Sequence, residues 1–563
     1  MKLKKWSFFL ALVLVMSLFL AACGGDEKEE GKTDEPDKTV ETEKEDDKEK
    51  DEGTAEGTSE QVLNLNIKSE PPSLNPGSAT DTTSGAVLYQ TFEGLMRINQ
   101  EGVIEEAMAE SAEMSEDGMT YTFKIRENAK WSNGDAVTAK DFEYAWKWVL
   151  DPANADTDYA YQLYMIKGAQ DAKENGGSLD DVGITVEDDQ TLVVQLAQPT
   201  AYFLELTAFY TYFPVNHQVT AGNAGWANDM SDDYVTNGPF LMSEWKHKDK
   251  VVLTKNPEYW DADTVKLETI NMLMIEDENT AKQMYDAGEL DWLGSPTDSI
   301  PLAAIPAYKK EDILNISPLA GVYYYAFNVE EEPFTNVNIR KAFALAINRE
   351  GIVTNITQAE QQPAMALVPP SIFEENSKGY FNDNDVEKAK EYLAKGLEEL
   401  GLDKLPPVKL SYNTSEAHGS IAQAVQDMWK ENLGVDIELT NAEWAVYLDS
   451  MGAGDFQIGR MGWLADFNDS INFLEIFETI GGNNYTNWES AEYQELLKQS
   501  RVEIDPEARD VLLRKAEAIF MDELPISPVY FYTNVWTNKE YVKDVEVSPL
   551  GQVQYKWGYI DGK

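Results

Sequence analysis

Val62, Leu63, Leu65 and Ile67 form a short apolar run that ends at Pro71-Pro72, and from there strand-like and helix-like stretches alternate to the end of the chain. Tyr121 to Arg126 alternates apolar and polar side chains, as a half-exposed strand does. Asn133-Gly134-Asp135 marks a turn, and Thr138 is a candidate cap for a helix that opens through Lys140-Asp141-Phe142. Thr191 to Leu196 and Lys250 to Thr254 read as further strands. Phe334 to Arg349 puts Ile339, Phe343, Ala346 and Ile347 on one helical face. Ser420 to Asn432 does the same with Ile421, Ala424, Val425, Met428 and Trp429, and Gly434 to Leu439 then alternates as an edge strand. No internal repeat interrupts this order. The pattern predicts an α/β protein.

The amino terminus follows other rules. Lys2, Lys4 and Lys5 precede an apolar run from Trp6 to Leu20, then Leu20-Ala21-Ala22-Cys23. A basic start, a short apolar segment and small residues before a cleavage point predict a secretory signal over residues 1–22. The run, about 15 to 17 residues, is short for a membrane span. Cys23 is the only cysteine and stands where a lipobox places its acylated residue, although a free thiol beside a plain cleavage site has the same appearance. Residues 24–60 hold no aromatic side chain and almost no aliphatic one, so they bury too little to offset the entropy of ordering. Residues 23–60 are expected to be a lipidated cysteine and an acidic tether averaging roughly 30–35 Å.

Charge and composition narrow the partners. The formal net charge is −54, with no basic stripe, which excludes nucleic acid and disfavours anionic lipid. Three histidines, His217, His247 and His418, lie far apart, and no HExxH, Gly-x-Ser-x-Gly or phosphate-loop motif occurs. No metal, cofactor or catalytic residue is therefore expected. Among 100 acids, a carboxylate pair for glycan hydrolysis is not excluded by counting, and a carbohydrate-acting enzyme stays as the remote alternative. One acid is unusual. Asp466 sits among Trp463, Leu464, Ala465 and Phe467, with Arg460 six residues earlier. A carboxylate in apolar surroundings is costly unless a cation or several donors meet it, and a ligand ammonium would serve.

Ser69-Glu70-Pro71-Pro72-Ser73-Leu74-Asn75-Pro76, Thr91-Phe92-Glu93-Gly94-Leu95, Lys130 to Phe142, Asn237-Gly238-Pro239-Phe240, Asn256-Pro257-Glu258-Tyr259-Trp260 and Ile339 to Arg349 follow one another along the chain. Together these segments resemble the peptide- and nickel-binding family of solute receptors. Most are turns, caps and packing positions. The resemblance implies a periplasmic-binding-protein-like, three-lobed receptor with a hinge and an interlobe ligand cleft. Lobe I would comprise residues 61–92, 217–318 and 534–563, lobe II residues 93–216 and lobe III residues 319–533. The chain would cross between lobes I and III near Pro318–Tyr323 and Thr533–Trp536.

The stretch from Arg460 to Leu474 is similar to the part of oligopeptide-permease binding proteins that holds a peptide's α-amino group. That similarity assigns Asp466 to the ammonium, with Trp463 beside it; an aspartate capping the next helix is the plainer reading. It assigns Arg460 and, within Tyr412 to His418, the imidazole of His418 to the carboxylate end. Arg460 as a partner of Asp455 or Asp466, and His418 as a surface histidine, stay open. Tyr532 and Tyr159 resemble positions that bond the peptide backbone, the latter through a one-residue insertion. Asp469-Ser470 departs from the acid- or Asn-Pro pair common in relatives. The expected protein captures oligopeptides and delivers them, as a monomer held to the bilayer through acylated Cys23, to the permease and ATPase subunits of an ABC importer. Dipeptide, oligosaccharide or nickel-chelate binding is the nearer alternative.

Overall fold

The computed structural model describes residues 59–563 apart from residues 101, 201 and 504, so the signal segment, Cys23 and nearly all of the tether lie outside the described residues. Val62–Asn66 buries Leu63 and Leu65 completely and runs parallel to Thr269–Leu273. Lys250–Lys255 and Phe240–Lys246 complete this four-stranded sheet in antiparallel order. A second, antiparallel sheet orders Ala109–Met114, Thr120–Ile125, Thr191–Gln195 and Ile184–Asp188. Against it packs the helix Ala139–Leu150, whose start is fixed by Asp141: its carboxylate accepts from the Thr138 N–H at 2.8 Å and hydroxyl at 3.1 Å. That helix buries Phe142, Trp146 and Val149, each contributing about 1.5–3 kcal/mol. Trp146→Ala would remove about 3–5 kcal/mol, and with it the indole bond to the Tyr212 carbonyl at 2.8 Å.

The third sheet has seven strands. Its path runs Trp292–Gly294, Ile526–Asn538, Asn315–Phe327, Ile458–Leu464, Val408–Asn413 and Ile437–Ala442, with Gln362–Pro363 added to Ile526–Asn538. Val408–Asn413 is parallel to both its neighbours, and the helix Glu416–Leu433 makes the crossover to Ile437–Ala442 while burying Ile421, Val425 and Trp429. This helix begins four residues before the Ser420 expected from periodicity, because the Ser415 side chain caps it. It ends on Gly434 at φ +71°, a left-handed position that glycine tolerates, so the edge strand starts at Ile437 rather than Gly434.

The helix expected over Phe334 to Arg349 is two helices, Val337–Leu345 and Arg349–Ile352. Asn336 accepts from the N–H groups of Asn338 and Ile339, and Asn348 from that of Gly351, so each asparagine starts a helix of its own. The two segments read as crossings are paired strands: Asn315 faces Trp536 and Ala326 faces Ile526, with the ladder interrupted only between Pro318 and Val322 and at a bulge after Tyr323. Many of the recurring sequence segments bond to one another. Glu93 accepts from Tyr259 and, at 2.6 Å, from the Trp260 indole, while Asn237 bonds both main-chain groups of Glu93. Among the described residues no helix is long and apolar enough to cross a membrane.

Candidate ligand-binding site

Ile458–Leu464 is a central strand of the large sheet, and Ala465 keeps its neighbour by donating to the Ala320 carbonyl at 2.8 Å. Asp466 therefore follows at the end of an extended segment and is only 9% exposed. Its carboxylate accepts from the Gln162 amide at 2.7 Å, the Tyr159 hydroxyl at 3.3 Å and the Asn472 amide at 3.3 Å. Asn472 also accepts from the Asp466 N–H at 2.9 Å and the Trp463 indole at 3.0 Å, which sets the carboxylate's direction. Among the described residues no lysine, arginine or histidine forms an ion pair with Asp466. Burial pushes its pKa up to about 7, against the pull of the bonds from Asn472, Tyr159 and Gln162. Asp466 does not cap the helix that follows. The position before that helix is Ser470, while Asp469 accepts from the Ile471 N–H at 2.9 Å and pairs with Arg509 through two bonds at 2.8 and 2.9 Å.

At the strand's other end Arg460 is 8% exposed and meets no carboxylate among the described residues. Its guanidinium lies 4.5 Å from the Tyr323 ring centre and donates to the Tyr532 hydroxyl at 2.5 Å and the Asn413 side chain at 3.3 Å. Its Nε has no partner. Arg460 is thus no partner of Asp455 or Asp466. Gly462 allows this closeness, since a Cβ there would stand 2.5 Å from the Tyr532 oxygen. The His418 ring approaches Tyr323 at 5.6 Å, and its Nδ1 is buried without a partner. Burial first, then the Arg460 and Lys68 charges, hold its pKa well below the usual value, so the ring is neutral. It is a half-buried ring, not a solvated surface histidine.

The expected residues thus fall into two groups. Tyr159, Trp463 and Asp466 stand together, with the Tyr159 and Trp463 rings 6.2 Å apart. Arg460, His418 and Tyr532 gather around Tyr323. Six residues of a strand and the bend at its end separate Arg460 from Asp466, at most about 20 Å. Sequence reading missed Gln162, Asn472, Asn413 and Tyr323 as members of these groups. Gln162 stands three residues after Tyr159, on the same face of the 3-10 turn Asp158–Leu163, and that spacing was the available signal. The other two histidines meet carboxylates elsewhere, His217 that of Asp141 and His247 that of Glu70 at 2.7 Å each, with Asp229 3.7 Å from the second nitrogen of His247, and among the described residues no group of three or more acids, histidines or cysteines is arranged to hold a metal ion.

Residues 103–485 match the bacterial extracellular solute-binding proteins, family 5 middle region. The chain is 53% identical, over 99% of both chains, to the oligopeptide-binding protein OppA of Bacillus subtilis. Its fold superposes on Haemophilus influenzae OppA solved with the peptide RPPGFSPFR, with a TM-score of 0.84 and 31% identity, covering 89% of this chain and 99% of the other. The Escherichia coli murein tripeptide-binding protein MppA, also 31% identical over 89% of this chain, gives 0.83 in one structure (99% of that chain) but 0.61 in its unliganded open form (98% of that chain). The described body therefore superposes less well on that open form than on the other structure.

Proposed function

The chain belongs to the bacterial extracellular solute-binding proteins of family 5, and we propose that it is an oligopeptide receptor that delivers its ligand to an ABC importer. One observation carries the reading: among the described residues a buried carboxylate meets no cation and a buried guanidinium meets no anion, and six residues of a strand and the bend at its end, at most about 20 Å, separate them. Each is complementary to one terminus of a peptide, and burying either alone is unfavourable. An extended chain advances about 3.3–3.6 Å per residue, so roughly four residues plus two terminal contacts fill that span. Between the ends, main-chain groups would supply bonds common to all peptides, with side chains left loosely held. Asp466, Tyr159 and Trp463 hold the ammonium end; Arg460, His418 and Tyr532 hold the carboxylate end.

The three lobes keep the boundaries given above, and the paired strands Asn315–Phe327 and Ile526–Asn538 serve as the hinge. The receptor closes around the peptide, stands as a monomer on the outer face of the cell membrane, and is held there by acylated Cys23 and the acidic tether. It performs no catalysis and uses no cofactor; the importer's ATPase subunits supply the energy. Calorimetry on residues 61–563 with peptides of two to eight residues and their amino-acetylated copies tests this. Binding that is indifferent to sequence and lost on acetylation is expected. Failure of every peptide to bind would overturn the reading.

A further inference from the structure

We infer that Gln162 is itself a ligand of the bound ammonium, its side-chain oxygen acting as a second acceptor beside Asp466; this rests on the oligopeptide reading above. Gln162 is fully buried, and its amide nitrogen donates to Asp466 Oδ2 at 2.7 Å. An ionised carboxylate only accepts, so the nitrogen and not the oxygen faces it. The oxygen is thereby turned aside, and it is buried with no hydrogen-bond partner. A buried acceptor left so costs about 1–3 kcal/mol, which a ligand donor recovers.

The backbone that carries Gln162 is anchored: its main-chain carbonyl accepts from the Tyr212 hydroxyl at 2.6 Å, and the Tyr212 main-chain carbonyl accepts from the buried Trp146 indole at 2.8 Å. With C=O and C–N bonds of ordinary length, the two polar atoms of one amide lie only about 2.3 Å apart. A donor seated at hydrogen-bond distance from the carboxylate is therefore within reach of the glutamine oxygen as well. Water offers donors but leaves the carboxylate's charge unbalanced. A primary ammonium brings three N–H groups and the charge together, so it satisfies both acceptors at once. The pair Asp466 and Gln162 consequently selects peptides with a free amino terminus over those whose terminal nitrogen is an uncharged amide with a single N–H.

A crystal structure of the receptor with tetra-alanine, joined to calorimetry, tests this. The ammonium nitrogen is expected within hydrogen-bond reach of both Asp466 and the Gln162 oxygen. An ammonium on Asp466 with the Gln162 oxygen bonded elsewhere overturns this inference alone, an ammonium far from Asp466 overturns it together with the assignment of the ammonium end, and failure of tetra-alanine to bind at all counts against the peptide reading itself. Gln162→Met should lower the affinity for tetra-alanine at least tenfold and leave the weaker binding of its des-amino copy unchanged. Equal losses for both ligands would mean that Gln162 only fills space, and would also overturn the inference. The parent complex decides the matter even if the variant fails to fold.

Discussion

The two ends of the candidate site are built on opposite plans. The acidic end draws Tyr159 and Gln162 from one part of the chain and Asp466 from a residue about three hundred positions later, so it exists only while those parts are in contact. The basic end assembles Arg460, His418, Asn413 and Tyr323 within residues 319–533, and Tyr532 belongs to the same sheet. One end is a junction and the other a fixture. A charge met only by neutral donors can serve as the sensor of a ligand, because its burial is favourable only when a countercharge is present. The fixture, with its guanidinium cushioned on an aromatic face, tolerates vacancy better.

The harshest way to break this contrast is Asp466→Ala, which should weaken peptide binding by about 2–5 kcal/mol in calorimetry, the cost of truncating one member of a buried charge pair. Parent-like affinity would show that the acid is merely structural. Arg460→Leu should cost less, about 1.5–3 kcal/mol for a charged hydrogen bond, and amidation of the peptide's carboxyl end should cost the parent a similar amount. A loss larger than that of Asp466→Ala would invert the comparison.

Titration separates the ends again. Asp466, pushed up to about 7 by burial, must give up its proton to pair with an ammonium, so affinity should rise with pH by at most tenfold per unit up to about 7 and then level off. Asp466→Asn should flatten that slope. Without ligand the sign reverses: the folded protein keeps protons that the unfolded chain has released above about pH 4, so stability falls as pH rises from about 4 to 7. Glu475, pushed up to about 8 by its burial, extends the fall and should survive in Asp466→Asn. His418, neutral in the fold, adds nothing to the affinity profile between pH 6 and 8, but the unfolded imidazole takes up a proton near its ordinary pKa of about 6.5, so His418 makes stability rise as pH rises through that value and opposes part of the fall. The smallest effect belongs to His418→Ala, a loss of about 1 kcal/mol for one short peptide length and little for longer ones. Uniform loss across lengths would make His418 structural.

Much of the scaffold was legible in the sequence because it is written in local periodicity: alternation placed Val62–Asn66, Thr120–Ile125 and Lys250–Lys255. The break between Val337–Leu345 and Arg349–Ile352 was missed because periodicity outvoted two capping asparagines. At the site, Asp466 was visible because a charge among apolar neighbours violates a local rule. Gln162 and Asn472 violate none; their meaning comes from a carboxylate that only the tertiary fold brings beside Gln162 and that Asn472 meets from the following turn. Tyr323 was read only as part of a crossing, since nothing in its flanks announces that a guanidinium rests on it. The Asp469-Ser470 pair drew attention through the proline it lacks; the structure adds that the Asp469 carboxylate bonds Arg509 and the N–H of Ile471.

The two strands proposed as the hinge, Asn315–Phe327 and Ile526–Asn538, are hydrogen-bonded to each other on both sides of the short gap between Pro318 and Val322. A single strand joining two bodies lets them swing about many axes. A laced ribbon resists splaying and shear but yields to twist and bend where its lacing stops. Under the proposed lobe division, opening and closing thus become travel along a track rather than a search through space, and the two halves of the ammonium junction meet in register on each pass.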